Sequence, residues 1–506
     1  LSTNSLPDLA TAASSSNLSS NFLTIFAFFG ILLLWQVYDS WCPTFLTELF
    51  GKALYGETQW IAARNASIFN PHANISEVNN VQYLVGIMMA IDNLAALILL
   101  PIFGTLSDKT HTKLGKRMPY IIVGTIVSAI AFPFIPVLFH FNKLGGTIAL
   151  MVIVVCTMMM YRNPAVALMP DITPKPLRSK ANGIINIMGY IGGACATFVG
   201  LAFVLSQYLG TKVVVTDGIK TFAPHTWAYG NIWAIEGPFL IASVLMVVSA
   251  VFLIIKIKEN KIAEEIKDDM ARGELEAEVI DKVEEDKPMS KANLTMLILI
   301  LAAVFFWFMA DNGIGTFMGN YTVYYLGADT SSNMINTIVG GVGSVAGFAI
   351  GGIIASKIGR KWTIVSGLCL TVGSYILWAI LTFTVLKNAA GGGKFPWIIY
   401  VVFGLKGFGM SLVHLNSFPM VVELCSNKKI GKFTGYYYAA SMAAQTITPV
   451  TLGLLLKNPT FNFGYLPVYA LLCSGIALVI FMFVKSVKNS KTKFVKGLEA
   501  LGADED

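Results

Sequence analysis

WQVYDSWCPTF at residues 35–45 returns as WFMADNGIGTF at residues 307–317. Trp, Asp, Thr and Phe recur at one spacing, and the copies lie in long apolar runs, 22–48 and 293–326. In each copy a tryptophan precedes an aspartate by four residues, which sets both side chains on one helix face. Each run exceeds the ~20 residues that carry a helix across a bilayer. An acid at bilayer depth costs at least ~2.5–3.5 kcal/mol on insertion scales, so it is kept where it faces a cavity or a partner.

Outward from these copies lie further apolar runs at 81–107, 118–139, 146–168, 181–207, 232–256, 333–356, 362–386, 396–420, 433–456 and 464–486. The chain has 506 residues, 55% hydrophobic and only 13% charged. Soluble domains carry about 25% charged residues, so lipid is the solvent here. The expected fold is an all-α membrane protein of twelve transmembrane helices in two pseudo-symmetric six-helix bundles. The expected division is a disordered tail over 1–20, a first bundle over 21–256, a charged linker over 257–291, a second bundle over 292–487 and a tail over 488–506.

The repeat extends beyond the two tryptophan–aspartate pairs. GTLSDK at 104–109, followed by Gly115, Lys116 and Arg117, matches GIIASKIGRK at 352–361. Asp171 and Glu423 close the fourth helix of each half, and each precedes a glycine, Gly183 or Gly435. Parallel six-helix repeats characterise carriers that hold substrate between their halves. Basic residues crowd the loops carrying Lys109, Lys113, Lys116, Arg117, Lys175, Arg178, Lys357, Arg360 and Lys428, which places both termini in the cytoplasm by the positive-inside rule. The net charge of +7 belongs to this bias rather than to nucleic-acid binding. Six scattered cysteines without a C-x-x-C pair argue against a disulfide framework or zinc site. No P-loop and no hydrolase motif stands out, so neither ATP-driven transport nor an enzyme is expected, and no cofactor is implied.

These residues resemble the major facilitator superfamily, whose signature between helices 2 and 3 reads G-x-L-A-D-R-x-G-R-K. The second copy matches without a gap except at Ser356, where the family usually has an acid; the first keeps Asp108 but has four extra residues before Gly115. SDKTHTKLGKRMPYIIVG at 107–124 and YRNPAVALMPD at 161–171 resemble the glycoside–pentoside–hexuronide:cation symporters and the related proton-coupled sucrose transporters. Melibiose-type members carry helix 2 acids where this chain has Ala96 and Leu100. That departure favours the proton-coupled or sucrose-type branch. The resemblance implies a monomeric, multi-pass cell-membrane carrier of a sugar-like molecule with a proton or sodium.

Candidate substrate-binding residues are Trp35, Gln36, Asp39, Trp307, Asp311, Asn312, Asn416 and Gln445. An indole packs on the apolar face of a sugar while a carboxylate accepts its hydroxyl hydrogen bonds. Tyr38, Asn186 and Asn320 are further polar candidates, each equally suited to an interhelical hydrogen bond. Asp92, Arg162 and Lys406 are candidates for coupling, with structural ion pairs as the alternative role. Asp108, Lys109, Gly115, Arg117, Asp171, Arg178, Lys357, Arg360 and Glu423 are expected to gate, by pairing across the boundary between the halves. Gly313, Gly315 and Gly319 suggest a flexible or broken seventh helix. The leading expectation is proton-coupled symport of a sugar or glycoside. A drug or amphiphile exporter, favoured by 33 Phe and 20 Met, is the alternative, with other small solutes behind it.

Overall fold

The computed structural model describes residues 6–71, 75–172, 191–223, 233–265, 267, 291–386, 391–393, 395–424, 430–458 and 460–485. In the first half, α1 (Leu6–Tyr55) leads to a short surface helix, α2 (Glu57–Phe69), then to α3 (Ser76–Asp108). The third span is broken. α4 (Met118–Ala131) and α5 (Phe134–His140) meet at Pro133, which lacks the N–H that would continue the helix ladder. α6 (Leu144–Asp171), α7 (Ile191–Leu209) and α8 (Trp233–Lys256) complete this half, with a hairpin of β1 (Val213–Thr216) and β2 (Ile219–Phe222) between α7 and α8.

The charged linker opens with α9 (Glu259–Glu265). The second half holds α10 (Lys291–Asn320), α11 (Thr330–Ile358), α12 (Arg360–Phe383), α13 (Trp397–Val422), α14 (Ile430–Lys457) and α15 (Leu466–Met482). Among the described residues, eleven helices are long and apolar enough to cross a membrane. With the 50-residue α1, these are the twelve expected spans. α1 begins at Leu6 rather than near residue 22. The glycines of the seventh span stay helical; the departure from α geometry comes after them, in a π-helical turn over Tyr321–Tyr325.

Ile126, Ile130, Phe134, Val342, Val345 and Val479 are each more than half exposed, as side chains facing lipid would be. Inside, the apolar core divides unevenly between the two ends. One cluster joins Trp60, Ile68, Val81 and Val213 of the first half to Phe317, Tyr321, Tyr324 and Tyr325 of the second. A cluster of Leu297, Ile300, Phe433 and Phe481 at the other end belongs to the second half alone. The halves therefore share a core where α2 and the hairpin lie, and keep separate cores toward the signature loops.

Glycines permit the closest approach between the halves, along α3 and α14. A Cβ on Gly86 would stand 2.1 Å from the Pro449 carbonyl oxygen, and one on Gly453 would stand 2.7 Å from that of Gln82. Backbone packs on backbone there, as small residues allow in membrane helix pairs.

Candidate transport site

Asp39 sits well along α1, half-buried, one turn beyond Trp35. Arg162 of α6 lies over the Trp35 ring, its guanidinium carbon 5.6 Å from the centroid, and acts on the charge of Asp39. Such stacking stabilises a guanidinium and leaves its N–H edge free to bond. Among the described residues no carboxylate stands within ion-pair distance of Arg162. Asp92 of α3 is buried and lies against Tyr38 of α1. Its neighbour Asn93 donates from Nδ2 to the Gln445 carbonyl of α14 at 3.1 Å, so this acid adjoins the boundary between the halves. Gln36 donates to Ser40 Oγ on its own helix, at 3.3 Å.

The second half uses the repeated aspartate differently. Asp311 of α10 forms a hydrogen-bonded ion pair with Lys406 of α13. His414, on the same helix as Lys406, acts on the charge of Asp311, and Tyr375 of α12 lies close by. His414 precedes Glu423 by the same interval that separates Arg162 from Asp171, so it occupies the repeat position of Arg162. Each cluster thus joins an aspartate of the first helix to a base of the fourth. The tryptophans part company, because Trp307 is fully buried and packs toward Phe481, 6.4 Å between rings. Asn416 is buried and bonds the Leu412 carbonyl of its own helix at 2.9 Å. Asn312 and Gln445 are half-buried.

The gating residues form two sets, each within one half. Arg117 is buried, bonded to Asp108, to Asp171 Oδ2 at 2.8 Å and to Ser107 Oγ at 2.5 Å. Lys116 also reaches Asp171, at 3.1 Å. In the second half Arg360 pairs with Glu423 at 3.0 Å. Glu423 follows the end of its span, and burial pushes its carboxyl above the ordinary range, against the pull of Arg360. Lys109 and Lys357 are exposed. Arg178 lies outside the described residues. Among the described residues, none of the ion pairs at this end crosses between the halves. The expected pairing across the boundary is not seen among the described residues, and residues 173–190 and 425–429 of these loops lie outside them.

The sequence profile of the Major Facilitator Superfamily matches residues 4–197, 61–392 and 300–503. The chain belongs to this superfamily. The first and last matches fall one on each half of the chain. Solved transporter structures share the fold at low identity. The xylose transporter XylE from E. coli, in a partially occluded inward-open conformation, is 13% identical with a TM-score of 0.60, covering 93% of this chain and 99% of that one. A POT family transporter in complex with 5-aminolevulinic acid is 12% identical with a TM-score of 0.59, over 91% and 94% of the two chains. A point mutant of the nucleoside transporter NupG is 11% identical with a TM-score of 0.56, over 91% and 99%. No curated protein matches the chain by sequence. A multi-pass membrane transporter of the Major Facilitator Superfamily, not an enzyme, is what these findings establish.

Two carboxylates escaped the sequence reading. Glu259, at the start of linker helix α9, is 3% exposed and accepts from the backbone N–H groups of Lys116, Arg117 and Met118 at 3.0–3.2 Å. It caps α4, where the helix dipole favours negative charge. Asn260 holds the carbonyls of Thr112 and Lys113, each at 3.1 Å. Gly115 makes room, since a Cβ there would lie 2.0 Å from Glu259 and its φ is +119°. The second, Glu48, lies at the opposite end. Glu259 occurs in a run whose charge pattern looks like ordinary solvated surface, and Glu48 closes the apolar run 22–48, where an acid reads as the polar end of a span.

Proposed function

We propose that this superfamily member is a proton-coupled symporter of a sugar or glycoside, working by alternating access. One observation carries the reading: repeat-related positions on the facing helices of both halves hold acid–base clusters at bilayer depth, one with its aspartate bonded and one whose acids, among the described residues, make no direct ion pair. Asp311 is neutralised by Lys406 and is the acceptor for substrate hydroxyls. Asp39 and Asp92 carry the proton. Arg162 answers the charge of Asp39 and, with Trp35, offers a flat cationic face and an indole to a sugar ring. When Asp39 holds a proton, Arg162 is freed to bond substrate; when it does not, the two charges compensate each other. Differential affinity of this kind is what couples a ligand to a change of state.

The α2 end is the external one and the signature loops are cytoplasmic, as the basic-residue bias directs. The branch that includes glycoside and sucrose carriers fits the helix 2 to helix 5 motifs, and the xylose transporter among the structural neighbours agrees with a sugar. The test is uptake of labelled mono- and disaccharides into proteoliposomes with an imposed pH gradient. Accumulation that collapses with an uncoupler is expected. Absence of gradient-driven uptake across a broad sugar panel, beside dye efflux from the same vesicles, would replace this reading with an exporter.

A further inference from the structure

The closed α2 end is built round Glu48, a carboxylate the transport reading does not use. It lies further along α1 than Asp39 and is 1% exposed. Its Oε2 accepts from Trp60 Nε1 at 2.9 Å and from Arg64 NH1 at 3.0 Å, both on α2. Its Oε1 accepts from the Tyr324 hydroxyl at 2.9 Å, in the π-turn of the second half. Three donors from two elements in different halves converge on one buried anion.

The surroundings are shaped for this arrangement. Trp60, Arg64 and Ile68 are the buried residues of α2, spaced four apart, so that one stripe docks the helix. A Cβ on Gly51 would stand 2.1 Å from the Trp60 ring, so only glycine admits it. The far end of the stripe reaches the second half, where a Cβ on Gly391 would meet the Ile68 carbonyl at 2.2 Å. Deeper in, Asn320 accepts from Thr44 at 3.2 Å and donates to Thr47 and Gln82, each at 3.0 Å.

We propose that Glu48 is the positioning residue of the α2-end gate: it holds the closed state through Tyr324, and it is the Tyr324 bond that breaks on opening while the Arg64 pair stays intact. The reason lies in where the partners sit. A buried anion left without compensation is strongly unfavourable. Glu48, Trp60 and Arg64 all move with the first half, so the carboxylate remains satisfied when Tyr324 departs. At Glu48 itself, opening therefore breaks one hydrogen bond and leaves the ion pair intact, while elsewhere at this end Asn320 must part from Thr44, Thr47 and Gln82, and Lys212, just before β1, from Asp329. The inference rests on the alternating-access reading and places its outer gate.

The test measures the gate itself. Spin labels at Leu54 and Trp397, 55% and 72% exposed, sit at the α2 end of the two halves in full-length protein whose native cysteines are replaced by serine. Interspin distances are read in proteoliposomes without substrate. The unmodified gate is expected to give mainly the short distance. Tyr324→Phe removes only Glu48's bond to the second half and is expected to raise the long-to-short ratio roughly tenfold or more, as loss of a hydrogen bond to a charged group implies. Glu48→Gln is expected to shift it at least as far, and Arg64→Gln to lower thermal stability as well. Thermal unfolding of Tyr324→Phe should match the parent. A Tyr324→Phe protein with the parent's distance distribution would overturn the proposal. Because no substrate is present, failure of sugar uptake leaves this outcome unaffected.

Discussion

Replacing either member of the Asp311–Lys406 pair leaves a single charge facing the cleft. Exposed ion pairs contribute only ~0–1 kcal/mol. Breaking a buried pair from one side costs ~3–5 kcal/mol, mostly the desolvation of the orphaned charge. The Asp311 side chain is 38% exposed and that of Lys406 is 18%, so this pair lies between those limits. Asp311→Asn and Lys406→Met are each expected to cost about 1–3 kcal/mol, discounted from the buried limit for the water that reaches Asp311. The double variant removes both charges and is expected to recover most of that loss, with a coupling energy of about 1 kcal/mol or more. Denaturant unfolding in micelles of the four proteins gives the cycle. Uptake measured on the same preparations is expected to stay low in the double variant, because the Asp311 acceptor is gone. If the single losses simply add, with coupling below ~0.5 kcal/mol, the pair is not an energetic unit and the assignment of Asp311 as a neutralised acceptor fails.

Asp39→Asn is expected to abolish accumulation driven by a pH gradient while preserving exchange of labelled for unlabelled sugar across the membrane; loss of exchange as well would assign Asp39 to substrate binding instead. Arg162→Lys keeps the charge but loses the flat guanidinium over Trp35, and is expected to raise the KM for uptake at least about tenfold with little change in thermal stability. Glu259→Ala strips the acceptor from three backbone N–H groups at the start of α4 and is expected to destabilise the protein by ~1–2 kcal/mol, the range of a lost helix cap, readable by thermal unfolding. Gly115→Ala should be damaging, because a Cβ there would lie 2.0 Å from Glu259. Gly435→Ala, with open space around its Cβ, should be neutral or stabilising by up to ~1 kcal/mol when the two are compared.

The architecture was legible because lipid imposes its own arithmetic. Apolar runs of bilayer length cannot be much besides spans, and the repeated tryptophan–aspartate spacing ties the two halves together in the sequence itself. The candidate site was legible in part for the same reason: Asp39, Asp92, Arg162, Asp311 and Lys406 stand out against apolar neighbours. Which of them pair was not legible, since a contact such as Lys406 with Asp311 depends on how α13 turns against α10. The repeat also misled about Trp307, because matching positions in sequence need not keep matching exposure. Glu48 and Glu259 were missed for a different reason. Glu259 lies in a charged run and Glu48 at the polar end of an apolar one, and only tertiary packing reveals that both are buried.

The π-helical turn at Tyr321–Tyr325 holds more residues than an ordinary turn would over the same rise. Deleting one residue within it would tighten the turn toward ordinary α geometry and change which of its side chains faces Glu48. Hydropathy would hardly change, and the protein would still insert. Tyr324, however, would swing off the face that meets Glu48, so this short segment tolerates exchange of side chains far better than a change of length. Among natural variants of this chain, the count of residues between Asn320 and Gly327 should prove more constant than their identities.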